Sequence, residues 1–255
     1  MEKNLGLEGR SVIVTGASSG IGRAAALRFA LMGSCVVAAD VDASGVESIV
    51  SDISDMDGKA VGVPGDLTDA LVVERVVTTA VEAFGSLDVL VNNAGIMDRM
   101  SALADVTDAE WVQVLRVNLT APFMLTRAAL PHMLSQGRGV IVNTASEACL
   151  RGSAAGAAYT ASKHGLAGLT KSVAVMYRGN GIRANAVAPG GTVSNIKVNV
   201  TEGAHGPSAL SAYVHNIGRL ADADEQAAVI VFLASDAASN INGAVLPVDN
   251  GWAAV

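Results

Sequence analysis

Thr15-Gly16-Ala17-Ser18-Ser19-Gly20-Ile21-Gly22 follows the β-branched run Ser11–Thr15 and leads straight into a helical pattern, with Ile21, Ala25, Phe29 and Met32 on one face. Glycines at such a strand-to-helix junction let the backbone turn tightly and come close to a diphosphate, whose charge the helix N-terminus favours. Asp40 closes the next β-branched run about 20 residues beyond Gly20, the separation at which a carboxylate meets an adenosine ribose. Turn and acid together predict a dinucleotide site built on Gly16, Ser18, Ser19, Gly20, Ile21 and Asp40. The carboxylate would face a 2′-phosphate with like charge, and Ser19, Val41 and Asp42 supply no compensating base, so NAD is preferred over NADP. Arg23 is the one nearby cation that could blunt this preference.

The same octet also satisfies GxSxG between a strand and a helix, the pattern of a hydrolase nucleophile elbow. On that reading Ser18 attacks, with a downstream Asp and His205 or His215 as partners. It leaves Asp40 unexplained.

Outward from the turn, further short β-branched runs fall at residues 34–39, 60–63, 88–91, 139–143, 183–187 and 244–248, with helical patterns between them. Alternating strands and helices imply βαβ units. The runs are almost continuously apolar, as strands covered on both faces must be. The expected fold is α/β: a single-domain, doubly wound parallel sheet in a three-layer α/β/α sandwich spanning residues 1–255. Pro122 and Pro131 are expected to bracket one helix. Residues 192–216, rich in Gly, Asn, Ser and Thr and carrying Lys197, Glu202, His205 and Tyr213, break the rhythm after a predicted strand, where a substrate lid is expected.

Composition supports a large core. Of 255 residues 51 % are hydrophobic and 16 % charged, with mean hydropathy +0.42. Aromatics are only 4 %, so Ala, Val, Leu and Ile must build that core. A net charge of −7 gives no electrostatic footprint for nucleic acid. Arg28 interrupts the richest apolar stretch, between residues 24 and 39, short of the roughly 18 residues a membrane span needs. Met1-Glu2-Lys3-Asn4 has no apolar core of a signal peptide, and Cys35 and Cys149 show neither disulfide nor zinc spacing. A soluble, cytoplasmic protein that binds neither membrane nor metal is expected. His132, His164, His205 and His215 read as surface or loop residues.

Tyr159 and Lys163 lie four apart in the helical pattern of residues 156–177, hence on one face. A cation within about 4–6 Å stabilises phenolate and brings tyrosine toward acid/base range. Ser146 follows the run at 139–143, at the same carboxyl edge of the sheet as the glycine turn. The chain now resembles the short-chain dehydrogenase/reductases. The resemblance runs from the Thr15 turn through Asp66, Asn92-Asn93-Ala94-Gly95, Asn118, Ser146, Tyr159 with Lys163, and Pro189-Gly190 to Val248-Asp249. It implies an oxidoreductase interconverting a secondary alcohol and a ketone. Tyr159 would handle the alcohol proton, Ser146 would hold the carbonyl, and Lys163 would bind the nicotinamide ribose and lower the tyrosine pKa. Asn118 would hold a relay water. Val41, Asp66 and Leu67 would lie at the adenosine, Asn92 would brace the sheet, and Asn93, Ala94 and Gly95 would line the cofactor site. Pro189, Gly190 and Thr192 would border the nicotinamide, with Ser194 as a rival hydroxyl for its amide.

Departures from the family pattern are informative. Glu147 directly follows Ser146, and Cys149 stands where glycine is common, so both could face the substrate. With Met97, Met100, Leu150 and Tyr213 they form the candidate substrate wall. Asn250 replaces a usual glycine but tolerates left-handed backbone. The helix at 156–177 is apolar on more than one face, which fits a subunit interface. The resemblance implies a homo-oligomer, tetramer favoured over dimer. A 3-oxoacyl thioester reductase is the alternative within the family, and a non-catalytic dinucleotide-binding protein is the alternative outside it.

Overall fold

β1 (Ser11–Thr15), every residue of it buried, is an interior strand of a seven-stranded parallel sheet, paired with a neighbour on each side. Its alternate side chains feed opposite faces: Val12 and Val14 enter one core, Ile13 the other. The computed structural model describes residues 5–200 and 203–255, so Met1–Asn4 and Glu202 lie outside it. The remaining strands are β2 (Cys35–Asp40), β3 (Lys59–Pro64), β4 (Val89–Asn92), β5 (Gly139–Thr144), β6 (Ile182–Pro189) and β7 (Val245–Val248). Their order is β3-β2-β1-β4-β5-β6-β7, all pairs parallel. Each predicted run falls on one of these strands.

The helices are α1 (Gly20–Leu31), α2 (Ala43–Asp55), α3 (Ala70–Phe84), α4 (Asp108–Leu115), α5 (Ala121–Gln136), α6 (Ala157–Tyr177), α7 (His205–Leu210) and α8 (Ala223–Ala234). Side chains of α1, α2 and α8 build one core, and α3, α5 and α6 the other. Both faces are covered, hence the continuous apolar strands. Full burial of a Val or Ile contributes roughly 1.5–3 kcal/mol, and small Ala25, Ala26, Ala129 and Ala174 let helices pack closely. Among the described residues no helix is long and apolar enough to cross a membrane.

One expectation about α5 is corrected. Pro122 sits in the first turn, but Pro131 lies inside the helix rather than ending it. Proline there leaves the Arg127 carbonyl without its helical donor. Arg127 and Pro131 are both exposed, so water can take that donor's place.

Between β1 and β4 the chain reverses its direction of travel across the sheet. Strand ends diverge at such a switch point and open a crevice at their carboxyl edge.

Candidate active site

The glycine turn occupies that crevice. Gly16 and Gly20 have φ of +66° and +53°, and a Cβ on Gly22 would lie 2.0 Å from the Gly16 carbonyl oxygen. Thr15 Oγ1 donates to the Val91 carbonyl and accepts from the Asn93 and Ala94 amides, while Asn93 Nδ2 donates to the Thr15 carbonyl. These bonds lock the exit of β4 against the turn. One cleft of about 600 Å³ is lined by Gly16, Ser18, Ser19, Gly20, Ile21, Asp40, Val41, Asp66, Leu67, Asn93, Ala94 and Gly95. Ser146, Tyr159, Lys163, Pro189, Gly190, Thr192 and Ser194 line it as well. A glycine cradle with no room for a Cβ, opening at a helix N-terminus, fits a diphosphate.

Asp40 stands at one end. Its Oδ2 accepts from the Ser18 amide at 3.0 Å and the Ser18 hydroxyl at 2.7 Å, and its Oδ1 accepts from the Asp42 amide. The Ser18 hydroxyl is therefore committed to a carboxylate, and no histidine is among the residues lining the cleft. Among the described residues lining the cleft, a nucleophilic Ser18 finds no histidine base. Arg23 pairs with Asp52 on α2 instead of turning to Asp40. The charged side chains lining the cleft are Asp40, Asp66 and Lys163.

At the other end β5 and α6 converge. Tyr159 is in the first turn of α6 and Lys163 one turn later, both buried. Lys163 Nζ lies 5.4 Å from the Tyr159 ring centroid and donates to the Thr144 carbonyl at 2.8 Å. Burial pushes the Tyr159 phenol up to about 12, with Asp98 and Cys149 adding to the rise; the Ser146 hydroxyl pulls it down by hydrogen bonding. Burial brings Lys163 down to about 8. Ser146 thus offsets part of the rise, and the Lys163 ammonium sits over the ring.

Asn118 occupies a π-helical turn, Arg116–Thr120, between α4 and α5. Its Oδ1 accepts from the Ile96 amide, and its Nδ2 donates to the Ile96 carbonyl and to Ser162 Oγ. The side chain ties the loop after β4 to α6 and does not line the cleft. Asn92 Nδ2 donates to Thr126 Oγ1 and Asn143 Oδ1, and Asn143 Nδ2 donates to Thr170 Oγ1, bridging sheet and helices.

Several wall residues are placed elsewhere. Met97 lines the cleft, whereas Met100, Leu150 and Tyr213 do not. Glu147 and Cys149 are buried away from it, because the tight 3-10 turn Glu147–Cys149 rolls them beneath the site. Cys149 packs among Ala145, Ala167 and Ala186. Glu147 meets Arg151 at 2.5 Å, a charge contact not aligned as a hydrogen bond, and burial with the neighbouring Asp249 raises its carboxyl to about 7. A carboxyl that binds its proton more tightly when folded contributes stability at low pH that is lost as pH rises through about 7. The wild-type melting temperature should therefore fall between about pH 5 and about pH 8, and that of Glu147→Gln should fall less. Identical pH slopes would contradict this assignment.

Residues that periodicity did not single out complete the wall: Gln113, Val117, Ala154, Ile196, Ile217 and Trp252. Gln113 and Val117 are four apart on one helical face, a usable signal. Trp252 is brought in by the C-terminal turn, where Asn250 and Gly251 have φ of +55° and +85° and Asp249 accepts from the Gly251 and Ala253 amides.

Comparison with known proteins agrees with this geometry. Residues 10–205 match the family model described as short chain dehydrogenase. The chain belongs to the short-chain dehydrogenase/reductase family. It is an oxidoreductase of that family with a Rossmann-type nucleotide-binding fold. The chain is 38 % identical over 250 residues to the 3beta-hydroxysteroid dehydrogenase 2 of Eggerthella lenta, covering 97 % of this chain and 96 % of the relative. It is 42 % identical over 246 residues to the cis-4-hydroxycyclohexanecarboxylate dehydrogenase of Sinomonas cyclohexanicum, covering 96 % and 97 %. A solved structure described as a candidate NAD(P)-dependent gluconate 5-dehydrogenase from Beutenbergia cavernae, with NADP at low occupancy, superposes with a TM-score of 0.86. It is 40 % identical and covers 98 % of each chain.

Proposed function

We propose that this dehydrogenase is NAD-linked and interconverts a secondary alcohol on an apolar, ring-sized skeleton with its ketone. The observation that carries the reading is the cleft itself: Ser146, Tyr159 and Lys163 meet at one end, and Asp40 stands at the other with no arginine along the lining. Residues 16–21 would hold the diphosphate, Asp40 and Val41 the adenosine ribose, and Asp66 with Leu67 the adenine. Lys163 would take the nicotinamide ribose, and Asn93, Ala94, Gly95, Pro189, Gly190 and Thr192 would border the nicotinamide end. The bound nicotinamide supplies or accepts hydride, chemistry that belongs to the cofactor. Tyr159 moves the accompanying proton. With its phenol near 12 it stays protonated at neutral pH, ready to donate to a carbonyl oxygen, while accepting an alcohol proton is favoured as pH rises. Ser146 orients the same oxygen.

Met97, Val117, Ala154, Ile196, Ile217 and Trp252 offer the substrate mainly apolar contact. Both curated relatives have names that denote ring-borne hydroxyl compounds, which puts alicyclic alcohols first. Residues 192–216 are read as the lid, since Thr192, Ser194 and Ile196 already wall the cleft. On this reading the enzyme is cytoplasmic and works as a homo-oligomer, tetramer favoured. Phe123, Gly165, Gly168 and Leu169 along a shallow depression on α5 and α6 suit a second copy.

The test is parallel titration with NADH and NADPH by nicotinamide fluorescence, followed by a screen of secondary alicyclic alcohols with the favoured nucleotide. NADH should bind about tenfold or more tightly, because like charges brought together cost several kcal/mol. Preference for NADPH would overturn the cofactor reading and put 3-oxoacyl thioester reduction first. Binding of neither by the folded protein would reopen the hydrolase and non-enzymatic readings.

A further inference from the structure

Asp98 lies three residues beyond Gly95 in the loop leaving β4 and is 3 % exposed. Its Oδ1 accepts from the Met100 amide at 3.0 Å and the Gly156 amide at 3.2 Å, and its Oδ2 accepts from the Tyr159 amide at 2.9 Å. The first amides of a helix lack partners within it and are normally satisfied by the side chain at its own N-cap. The N-cap position of α6 is Gly156, which has no side chain to offer. A carboxylate 58 residues earlier in the chain does that work, where the helix dipole also favours negative charge.

The fit between the two segments is close. A Cβ on Gly156 would lie 2.5 Å from Asp98 Oδ2 and 2.6 Å from the Ser101 amide nitrogen. The Ala157 amide donates to the Ser101 carbonyl. The loop is held in turn from α4, whose Glu110 accepts from the Arg99 amide and the Ser101 hydroxyl, and by Asn118 at Ile96. The segment that borders the cofactor end of the cleft and the helix that carries the acid–base tyrosine are thus joined at one buried carboxylate.

We propose that Asp98 is the positioning residue for Tyr159, capping α6 from the cofactor loop and setting the depth of the phenol in the cleft. The inference rests on the reading of Tyr159 as the acid–base group. The cap has an electrostatic consequence. The charged and titratable groups around Tyr159 are Lys163 on its own helix, Cys149 from the turn after β5, and Asp98; Ser146 adds a neutral hydroxyl. Among them Asp98 and, after it, Cys149 oppose phenolate formation. Removing the Asp98 charge loosens the helix start and at the same time makes the phenol easier to ionise, two effects with opposite signs on the oxidative rate.

Two variants of the full chain separate these effects. Asp98→Asn keeps one acceptor but sets an amide N–H against a helix N–H and removes the charge. Gly156→Ala crowds the same contact and keeps the charge. Hydrogen exchange of residues 156–163 should rise in both, read by mass spectrometry on the protein without nucleotide. With the best alcohol of the screen, kcat should fall about tenfold to a hundredfold, the scale of a misplacement near 1 Å. KM and NADH affinity should stay within about threefold, as expected when only the transition-state geometry suffers. The rising limb of the pH–kcat profile should move to lower pH in Asp98→Asn and stay in place in Gly156→Ala. Wild-type exchange at 156–163, wild-type kcat, or an unmoved limb in Asp98→Asn would each overturn the proposal. Failure of the underlying reading looks different, because Tyr159→Phe would then retain full turnover or the wild type would oxidise no alcohol. In that event the exchange measurement alone decides whether Asp98 caps the helix.

Discussion

Replacing Tyr159 by phenylalanine is expected to lower kcat by about 10²–10⁴-fold, the contribution of a well-placed acid–base group, with NADH affinity changed by no more than a few-fold. The packing argument favours a clean result. Tyr159 is 7 % exposed and its ring packs with Ala155, Ala158 and Val114, so the ring and its contacts survive the loss of the hydroxyl. What disappears is the oxygen that Ser146 hydrogen-bonds and that would pass the proton. Lys163 keeps its bond to the Thr144 carbonyl and remains available to a ribose. Steady-state turnover with the best alcohol, beside an NADH titration of the same preparation, measures both quantities. Turnover within about twofold of wild type would remove Tyr159 from the chemistry.

Gly22→Ala is expected to abolish nucleotide binding for a different physical reason. The added methyl would lie 2.0 Å from the Gly16 oxygen, 2.5 Å from Asn93 Nδ2 and 2.7 Å from the Gly16 carbonyl carbon. None of these can swing away cheaply: two are backbone, and the third is held by its bond to the Thr15 carbonyl. The start of α1 must move off the end of β1, carrying its amides away from the diphosphate. NADH affinity should fall about a hundredfold or more, as displacements near 1 Å do at sites built on geometry. Gly179→Ala, where an added Cβ meets nothing within 4 Å, is the control and should bind normally. Tight NADH binding by a folded Gly22→Ala protein would mean that the turn does not cradle the nucleotide.

The strands, the glycine turn and the pairing of Tyr159 with Lys163 were legible in the chain because each depends on neighbours in sequence. A continuously apolar strand, a tight turn and helix-face spacing are local properties, and they fall where the pattern puts them. Pro131 was misread because a proline ends a helix only when the freed carbonyl has no other partner, and exposure of Arg127 supplies water. The direction of Glu147 and Cys149 was not readable for a related reason. The 3-10 turn after Ser146 turns Glu147 toward Arg151 and toward Asp249, far along the chain, and packs Cys149 among Ala145, Ala167 and Ala186.

The sequence by itself determined an α/β sheet with a dinucleotide turn, a carboxylate at Asp40 and a Ser146, Tyr159, Lys163 set, since residue type and short-range spacing carry that information. Tertiary structure alone decided that burial outweighs the Ser146 hydrogen bond in setting the Tyr159 phenol, that Arg23 turns to Asp52, and that Trp252 lines the cleft. It also decided that α6, which begins without a cap of its own, is capped from the loop after β4. Each of these depends on which distant groups share a desolvated volume, and electrostatic energy in such a volume is set by distances in space that no local pattern encodes.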